Sequence, residues 1–334
     1  MKRTLFIGML GLSALMSGYA QQGEGVRKGR IVREPLVHDP VMAKEGDTYY
    51  LYSTGHNVSS FSSKDLSEWT IRHGVFSAPP QWAVDSIKGY EGHTWAPDII
   101  YYKGNYHLFY SCSAFGKNTS AIGHAYRRTL NPDSDEPWTD TGAVIVSHAR
   151  DNFNAIDPNI VIDEEGNPWM TFGSFWGGIQ LVRLTEDLTS TLKPEKLYTI
   201  CTRQFEGASD VPSRSVNSVE APFIFKHGDY YLFVSYDFCC RGLKSDYKVV
   251  VGRSTRVTGP YVDKDGRELT RGGGSLVVDS NDEFVAIGHS AAYHFDGKDY
   301  FMAHGYSRSE DGASKLFFRE MTWDEEGWPF VSAE

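Results

Sequence analysis

The sequence has no surplus of basic residues and, after its first twenty residues, no long apolar run. Lys and Arg total 33 against 43 Asp and Glu, which gives a formal net charge of −10. Without a basic surplus a protein has little with which to neutralise phosphates, so we exclude nucleic acid as a partner. We also expect no membrane span, because a transmembrane helix needs about 20 apolar residues.

Cysteines are few, at four in 334 residues. This number is too small for a disulfide scaffold, and neither a CxxC pair nor a His-rich spacing indicates structural zinc. The adjacent Cys239 and Cys240 either form a vicinal disulfide or stay reduced. We expect all four cysteines to be structural.

The N-terminus has the pattern of a secretory signal peptide. Two basic residues precede an apolar run over residues 5–16, and the small-x-small sequence at 18–20 is typical of a cleavage site. We therefore predict a signal peptide over residues 1–20 and a secreted or periplasmic protein. The remainder, 21–334, is expected to form one catalytic domain that is a monomer.

A repeat of about 60 residues organises the mature chain. Each unit has an apolar strand, a turn glycine and a strand rich in Tyr, Phe and Leu, and no segment of a dozen residues has a convincing helical period. The turn glycines are Gly46, Gly104, Gly166, Gly228 and Gly297. Five such antiparallel units predict an all-β fold, a five-bladed β-propeller.

In a propeller, the start of each innermost strand faces the central axis. Counting back about seven to nine residues from each turn glycine gives Asp39, Ala96, Asp157, Glu220 and His289. Asp before Pro is also common in turns, and a Glu at a loop end usually lies at the surface. Recurrence at equivalent positions favours a site instead. Paired carboxylates are typical of glycoside hydrolysis, in which an acid protonates the leaving oxygen and a base activates water.

Three motifs resemble those of glycoside hydrolase family 43. They are His38-Asp39-Pro40, Ala155-Ile156-Asp157-Pro158-Asn159 and Ser218-Val219-Glu220-Ala221-Pro222. Three further segments resemble the endo-1,5-α-L-arabinanases of that family, namely 93–98, 115–123 and 173–179. The likeness extends over nearly all of the mature chain.

The resemblance implies a five-bladed propeller that hydrolyses α-1,5-linked arabinan, a pectic side-chain polysaccharide, with inversion, and it favours endo over exo action. Asp39 would be the general base, Glu220 the general acid and Asp157 the residue that modulates the pKa of Glu220 and orients it. Inversion leaves room for a water, so the carboxyls of Asp39 and Glu220 should lie about 6.5–9.5 Å apart.

The resemblance also implies a bound ion, usually taken as calcium, beside His289 and held largely by waters. Calcium prefers oxygen ligands, so such a site would be atypical. The alternative is a hydrogen-bonded core histidine.

Six residues are candidates for substrate binding. Trp95, Phe115 and Trp176, with Tyr236 as a weaker candidate, are expected to stack on sugar faces, although aromatic side chains also serve core and rim packing. Asn154 and Ser174 are expected to bond sugar hydroxyls or, equally, to cap loops.

Competing functions share this fold. An α-L-arabinofuranosidase or β-xylosidase would use the same propeller. A non-catalytic carbohydrate-binding propeller would lack one of the carboxylates, and all three are present. A retaining fructan hydrolase would carry Asn-Asp-Pro and Arg-Asp-Pro where this chain has His38-Asp39-Pro40 and Ile156-Asp157-Pro158.

Overall fold

A computed structural model describes residues 29–203 and 217–332. The predicted signal peptide, residues 1–20, lies outside these ranges. Within them the chain forms five antiparallel sheets arranged around one axis, which confirms the predicted five-bladed β-propeller.

The strands follow one another blade by blade. The first sheet contains β1 (Ile31–Val32), β2 (Val41–Glu45), β3 (Thr48–Ser53), β5 (Ser59–Ser63) and β6 (Trp69–Ile71). The second contains β4 (Gly55–His56), β7 (His93–Tyr102), β8 (Asn105–Cys112), β9 (Ser120–Arg127) and β10 (Thr139–Ser147). The third contains β11 (Asn159–Ile162), β12 (Pro168–Phe172), β13 (Ile179–Arg183) and β14 (Tyr198–Cys201). The fourth contains β15 (Val219–His227), β16 (Asp229–Tyr236), β17 (Lys248–Ser254) and β18 (Ser275–Val278). The fifth contains β19 (Phe284–Phe295), β20 (Lys298–Ser307), β21 (Ser314–Trp323) and β22 (Pro329–Val331).

The innermost strands close the ring. Strands β2, β7, β11, β15 and β19 contact one another in this order, and β19 contacts β2. The segment before β2 is also bonded to the last blade. The amide of Val37 donates to the carbonyl of Ser314 at 3.1 Å, and the Ser314 hydroxyl donates to the carbonyl of Val37 at 2.7 Å. The two ends of the repeat are therefore held together by hydrogen bonds.

The five turn glycines are explained by backbone conformation. Their φ angles lie between 59° and 89°, and a Cβ placed on any of them would meet nothing within 4 Å. Glycine is therefore favoured by its access to positive φ and not by lack of space. At Lys103-Gly104 and Asp296-Gly297 both residues have positive φ, as the tight type I′ hairpin turn requires. The predicted hairpins are confirmed.

Aromatic side chains of the repeats fill the space between blades. Phe301 of the fifth blade is fully buried, with its ring centroid 5.9 Å from that of Phe233 in the fourth blade and 6.3 Å from that of Phe317. Burying one such side chain stabilises the fold by about 1.5–3 kcal/mol. The aromatic repeats therefore hold neighbouring blades together.

Helical structure is sparse in the described ranges. It consists of helix α1 (Gln81–Ser86) and two 3-10 turns, Gly242–Lys244 and Leu269–Arg271. None of these described helices has the length or apolar character to cross a bilayer.

The structure also decides the state of the cysteines. Cys239 and Cys240 form a disulfide bond. Cys112 and Cys201 are buried free thiols.

Candidate active site

A residue within or just before each innermost strand has a left-handed backbone. These residues, with their φ angles, are Asp39 (54°), Ala96 (37°), Asp157 (58°), Ala221 (55°) and His289 (52°). The prediction that Glu220 occupies the equivalent position in the fourth blade is therefore wrong by one residue. In the first four blades the left-handed residue directly precedes a proline, so the local backbone marks the position, whereas the distance to the turn glycine varies.

The left-handed residues interrupt the β-ladder, as register shifts between Trp95 and Asp98 and between Glu220 and Phe223 show. Their amides then need other acceptors, and a side chain of the preceding blade supplies each one. The pairs are Asp39 to His304 Nδ1 (3.2 Å), Ala96 to Thr54 Oγ1 (2.7 Å), Asp157 to Ser111 Oγ (3.1 Å), Ala221 to Asp157 Oδ2 (3.1 Å) and His289 to Ser235 Oγ (2.8 Å). Each axial residue is thus positioned by its neighbouring blade.

Asp39 is a buried carboxylate surrounded by donors. Its Oδ1 lies 2.8 Å from Nδ1 of His38 and 2.9 Å from Nδ1 of His289, and its Oδ2 accepts a bond from Thr54 Oγ1 at 2.5 Å. Burial would raise the pKa of Asp39, but the charges and hydrogen bonds of His289 and His38 hold it well below its usual value. Asp39 is therefore ionised at neutral pH.

Asp157 is buried as well, but its pKa moves in the opposite direction. Burial raises the pKa of Asp157 to about 8; His289 opposes this rise, and the negative charges of Glu220 and Asp39 add to it. Its Oδ2 accepts the amide proton of Ala221, the residue next to Glu220. Asp157 therefore holds the backbone from which Glu220 projects.

Glu220 is half-buried and accepts two hydroxyl protons. Ser174 Oγ donates to Oε2 at 2.6 Å, and Tyr247 Oη donates to Oε1 at 2.8 Å. Burial raises the pKa of Glu220 by more than these two hydrogen bonds lower it. The site thus combines one ionised carboxylate, Asp39, with two carboxyls of raised pKa, the arrangement that acid–base chemistry requires.

Tyr247 was not predicted from the sequence. Its ring packs against Gly288, where a Cβ would come within 2.1 Å of a ring atom. The sequence signal that could have found it is this glycine, directly before the axial His289. The glycine leaves the space that lets Tyr247 reach Glu220.

A model of the glycosyl hydrolases family 43 matches residues 30–329 of the chain. The chain belongs to glycosyl hydrolase family 43. It is therefore a glycoside hydrolase, and the resemblance carried by the motifs at Asp39, Asp157 and Glu220 is confirmed at the level of the family.

Several family 43 proteins are similar over almost their full length. The extracellular exo-α-(1→5)-L-arabinofuranosidase of Cellvibrio japonicus (strain Ueda107) is 48% identical over 298 residues, which cover 88% of this chain and 86% of that protein. The extracellular endo-α-(1→5)-L-arabinanase 1 of Bacillus subtilis (strain 168) is 39% identical over 300 residues, which cover 88% and 87%. The structure of a Cellvibrio cellulosa α-L-arabinanase complexed with arabinohexaose superimposes with a TM-score of 0.86 at 47% identity, covering 90% of this chain and 96% of that chain.

Three of the four predicted aromatic contacts of this family 43 protein keep accessible surface. Phe115 is 48% exposed, and Trp95 and Trp176 are half-buried. Tyr236 is only 3% exposed, and its hydroxyl donates to the carbonyl of Gly273 at 2.6 Å. Tyr236 therefore has no open face for a sugar, and its prediction as a binding residue is corrected.

The two predicted polar contacts are directed at the protein itself. Asn154 is buried, and its Oδ1 accepts a hydrogen bond from Ser120 Oγ at 2.7 Å, which links its loop to strand β9. Ser174 is buried with its hydroxyl on Glu220. Asn154 therefore makes a structural contact, whereas Ser174 acts on a carboxyl of the site.

His289 is the residue predicted to lie beside an ion. Its Nδ1 is directed at Asp39, which leaves Nε2 as the ring nitrogen that could face an ion. Burial lowers the pKa of His289, but Asp39 and the other carboxyls raise it to about 9, so an ion at Nε2 would have to displace the proton there. Within the part of the chain that the structure describes, the clusters of three potential ligands are His38, Asp39 and His304, and His38 with Cys239 and Cys240. His289 is in neither, so an ion at its Nε2 would take its other ligands from water.

Proposed function

We propose that this protein hydrolyses α-1,5-linked L-arabinofuranosyl bonds of arabinan with inversion of configuration. The observation that carries the proposal is a pair of carboxyls in different surroundings. Asp39 is held by His38, His289 and Thr54, and its pKa is lowered, which suits a base. Glu220 is held by two hydroxyls, and burial raises its pKa, which suits an acid. The substrate follows from the names of the similar proteins, which act on α-1,5-linked arabinose.

In the proposed mechanism Glu220 protonates the leaving oxygen while Asp39 takes a proton from the attacking water. Ser174 and Tyr247 hold the Glu220 carboxyl in place. Asp157 fixes the backbone of Ala221 beside the acid, and its own negative charge is suppressed by burial. Each carboxyl thus has one role, set by its surroundings.

Substitution of the two reacting carboxyls tests the assignment. Glu220→Gln and Asp39→Asn should each lower kcat on arabinan by about 10²–10⁴-fold, the usual contribution of an acid or a base. Glu186→Gln, at a surface carboxylate whose side chain is 86% exposed, is the matched control and should retain full activity. Circular dichroism checks that the variants fold. Wild-type turnover by either active-site variant would refute the roles.

The stereochemical outcome is tested separately. Proton NMR of the first product should show the β-anomer of arabinose at the new reducing end before mutarotation. An initial α-anomer would mean retention and would contradict a water-activating Asp39.

The mode of attack has two candidates. The motifs in the sequence favour endo action, and the relative with 39% identity is named an endo-arabinanase. The relative with 48% identity is named an exo-acting enzyme, and because this identity is higher we propose exo action first.

Product analysis on debranched arabinan separates the two modes. Exo action gives one short product from the start with a slow fall in viscosity, whereas endo action gives a ladder of products and a rapid fall in viscosity. Assays on aryl arabinofuranosides and aryl xylosides separate the related glycosidase activities.

Calcium beside His289 is part of the proposal. His289 Nε2 and waters would hold the ion, and when bound it would supply positive charge and ordered water near Asp39. We expect a chelator to lower activity and added calcium to restore it. Full activity in excess chelator would remove calcium from the proposal.

Secretion is proposed from the N-terminal pattern and from the extracellular relatives. Expression of the full chain should give a protein that begins at Gln21, outside the cytoplasm. Uncleaved protein in the cytoplasmic fraction would contradict this.

A further inference from the structure

The disulfide-bonded pair lies close to the proposed base, although the pair takes no part in the mechanism described above. Cys240 Sγ is 3.9 Å from Nε2 of His38, and the other ring nitrogen of His38 faces Asp39. The amide of Cys240 donates to Tyr306 Oη at 2.7 Å. Three segments that are far apart in the chain therefore meet behind Asp39.

The hydrogen bonds among these groups form one continuous chain. Tyr306 Oη accepts the amide proton of Cys240 and lies 2.9 Å from His38 Nε2, to which it donates when the neutral His38 ring carries its proton on Nδ1. A histidine that accepts at Nε2 carries its proton on Nδ1, and Nδ1 lies 2.8 Å from Oδ1 of Asp39. The chain of bonds thus selects the tautomer of His38 that donates to the carboxylate.

The plane of the His38 ring is fixed as well. The ring stacks on His304 with centroids 3.7 Å apart, and His304 Nδ1 accepts the amide proton of Asp39. Stacking holds the ring plane but does not choose between the two tautomers. The acceptor at Nδ1, Asp39, and the donor at Nε2, Tyr306, both favour the tautomer with its proton on Nδ1.

The disulfide restricts the backbone that supplies the first donor. A bond between adjacent cysteines closes an eight-membered ring that includes the peptide bond between them. Cys240 has a φ of 68°, a conformation uncommon for residues other than glycine. Reduction by a dithiol would open this ring, give two protein thiols and one oxidised reagent, and release the constraint on the Cys240 amide.

We propose that Tyr306 and the disulfide-linked Cys240 are positioning residues, which act through His38 to orient the carboxylate of Asp39. The proposal rests on the assignment of Asp39 as the base. It makes the Cys239–Cys240 disulfide a requirement for full activity, and not only for stability.

The experiment compares variants of the whole protein on arabinan, with and without dithiothreitol. Tyr306→Phe should lower kcat by about 3- to 10-fold with KM unchanged, since one hydrogen bond to a positioned group is lost and the substrate contacts are not. Tyr300→Phe, near the other end of strand β20, is the matched control and should behave like the wild type. Reduction should lower kcat of the wild type and should not lower kcat of Tyr306→Phe any further, because both changes break the same chain of bonds.

The other two cysteines, Cys112 and Cys201, do not interfere with this test, because they are already thiols. Thiol titration of the unfolded protein confirms that reduction raises the count from two to four. A Cys239→Ser/Cys240→Ser variant should have the kcat of the reduced wild type, and the reductant should not change its kcat. If this variant fails to fold, the wild type with reductant gives the same information.

Two results would overturn the proposal. One is an unchanged kcat in Tyr306→Phe or in the reduced wild type. The other is an equal loss on reduction in the wild type and in Tyr306→Phe, which would show that the disulfide acts independently of Tyr306. A wild type inactive on arabinan would instead refute the proposed function.

Discussion

Replacement of Tyr247 by Phe isolates one hydrogen bond to the proposed acid. The Tyr247 hydroxyl donates to Oε1 of Glu220 at 2.8 Å, and a phenylalanine ring would keep the contact with Gly288. The change therefore removes a donor from the carboxyl and leaves the packing in place.

The direction of the effect follows from the charge of the acceptor. The hydroxyl stabilises the ionised form of Glu220 and so lowers the pKa of Glu220. Without it the pKa rises, and the acid keeps its proton to a higher pH. Because the rate falls as Glu220 loses its proton, the alkaline limb of the pH profile of kcat/KM should move to higher pH.

A hydrogen bond to a charged group contributes about 1.5–3 kcal/mol. Its loss would change the ratio of ionised to protonated Glu220 carboxyl by a factor of roughly 10 to 100. Glu220 is half-buried, so water can replace part of the lost interaction, and we expect the lower end, about tenfold. Ser174→Ala should move the limb in the same direction, because it removes the donor to Oε2.

The assay is the pH profile of kcat/KM on a soluble arabino-oligosaccharide. Tyr106→Phe is the matched control: it removes a tyrosine hydroxyl that donates to the carbonyl of Lys44 and not to Glu220, so it should leave the alkaline limb in place. If the alkaline limb of Tyr247→Phe is unchanged or moves to lower pH, the role of the Tyr247 hydroxyl is refuted. Such a result would also count against Glu220 as the acid.

Further substitutions test the space and the axial hydrogen bonds around the site. Gly288→Ala would bring a Cβ within 2.1 Å of the Tyr247 ring, so kcat should fall by at least about tenfold as the ring is displaced. Gly46→Ala, in open space at a φ of 59°, should cost about 1–2 kcal/mol of stability and leave kcat unchanged, and thermal unfolding with kinetics separates the two outcomes. Ser111→Ala leaves the buried amide of Asp157 without its acceptor, so we expect a loss of about 1–3 kcal/mol in unfolding free energy; an unchanged Tm would contradict this.

Much of the fold could be predicted because its signals are local. A turn glycine such as Gly104 indicates a positive φ, and the strand that follows it is rich in the Tyr, Phe and Leu residues that strands favour. Five copies of this local signal are enough to count the blades. The turns at all five glycines were confirmed for this reason.

The site could be predicted only in part. Asp39 and Asp157, counted back from their turn glycines, each have the left-handed backbone that recurs at this position in the other blades. In the fourth blade the prediction of Glu220 is one residue too early, because the left-handed residue is Ala221 and distances counted from a turn glycine do not register the interruption of the β-ladder between Glu220 and Phe223. Tyr236 was expected at the cleft because it ends a strand, but its side chain is directed into the core of the fourth blade.

The sequence by itself determined the number of blades, the carboxyls at the axis and the family, because these depend on repeated local motifs. Only the tertiary structure decided the protonation of those carboxyls and the identity of their partners. Tyr247, His304 and Tyr306 are distant in the chain from the carboxyls they affect, and no local pattern links them. Tyr247 reaches Glu220 within the fourth blade, whereas His304 and Tyr306 reach Asp39 and His38 only when the fifth blade closes against the first. Burial raises the pKa of Asp157 in the closed ring, whereas at Asp39 burial is outweighed by the neighbouring histidines, which lower its pKa.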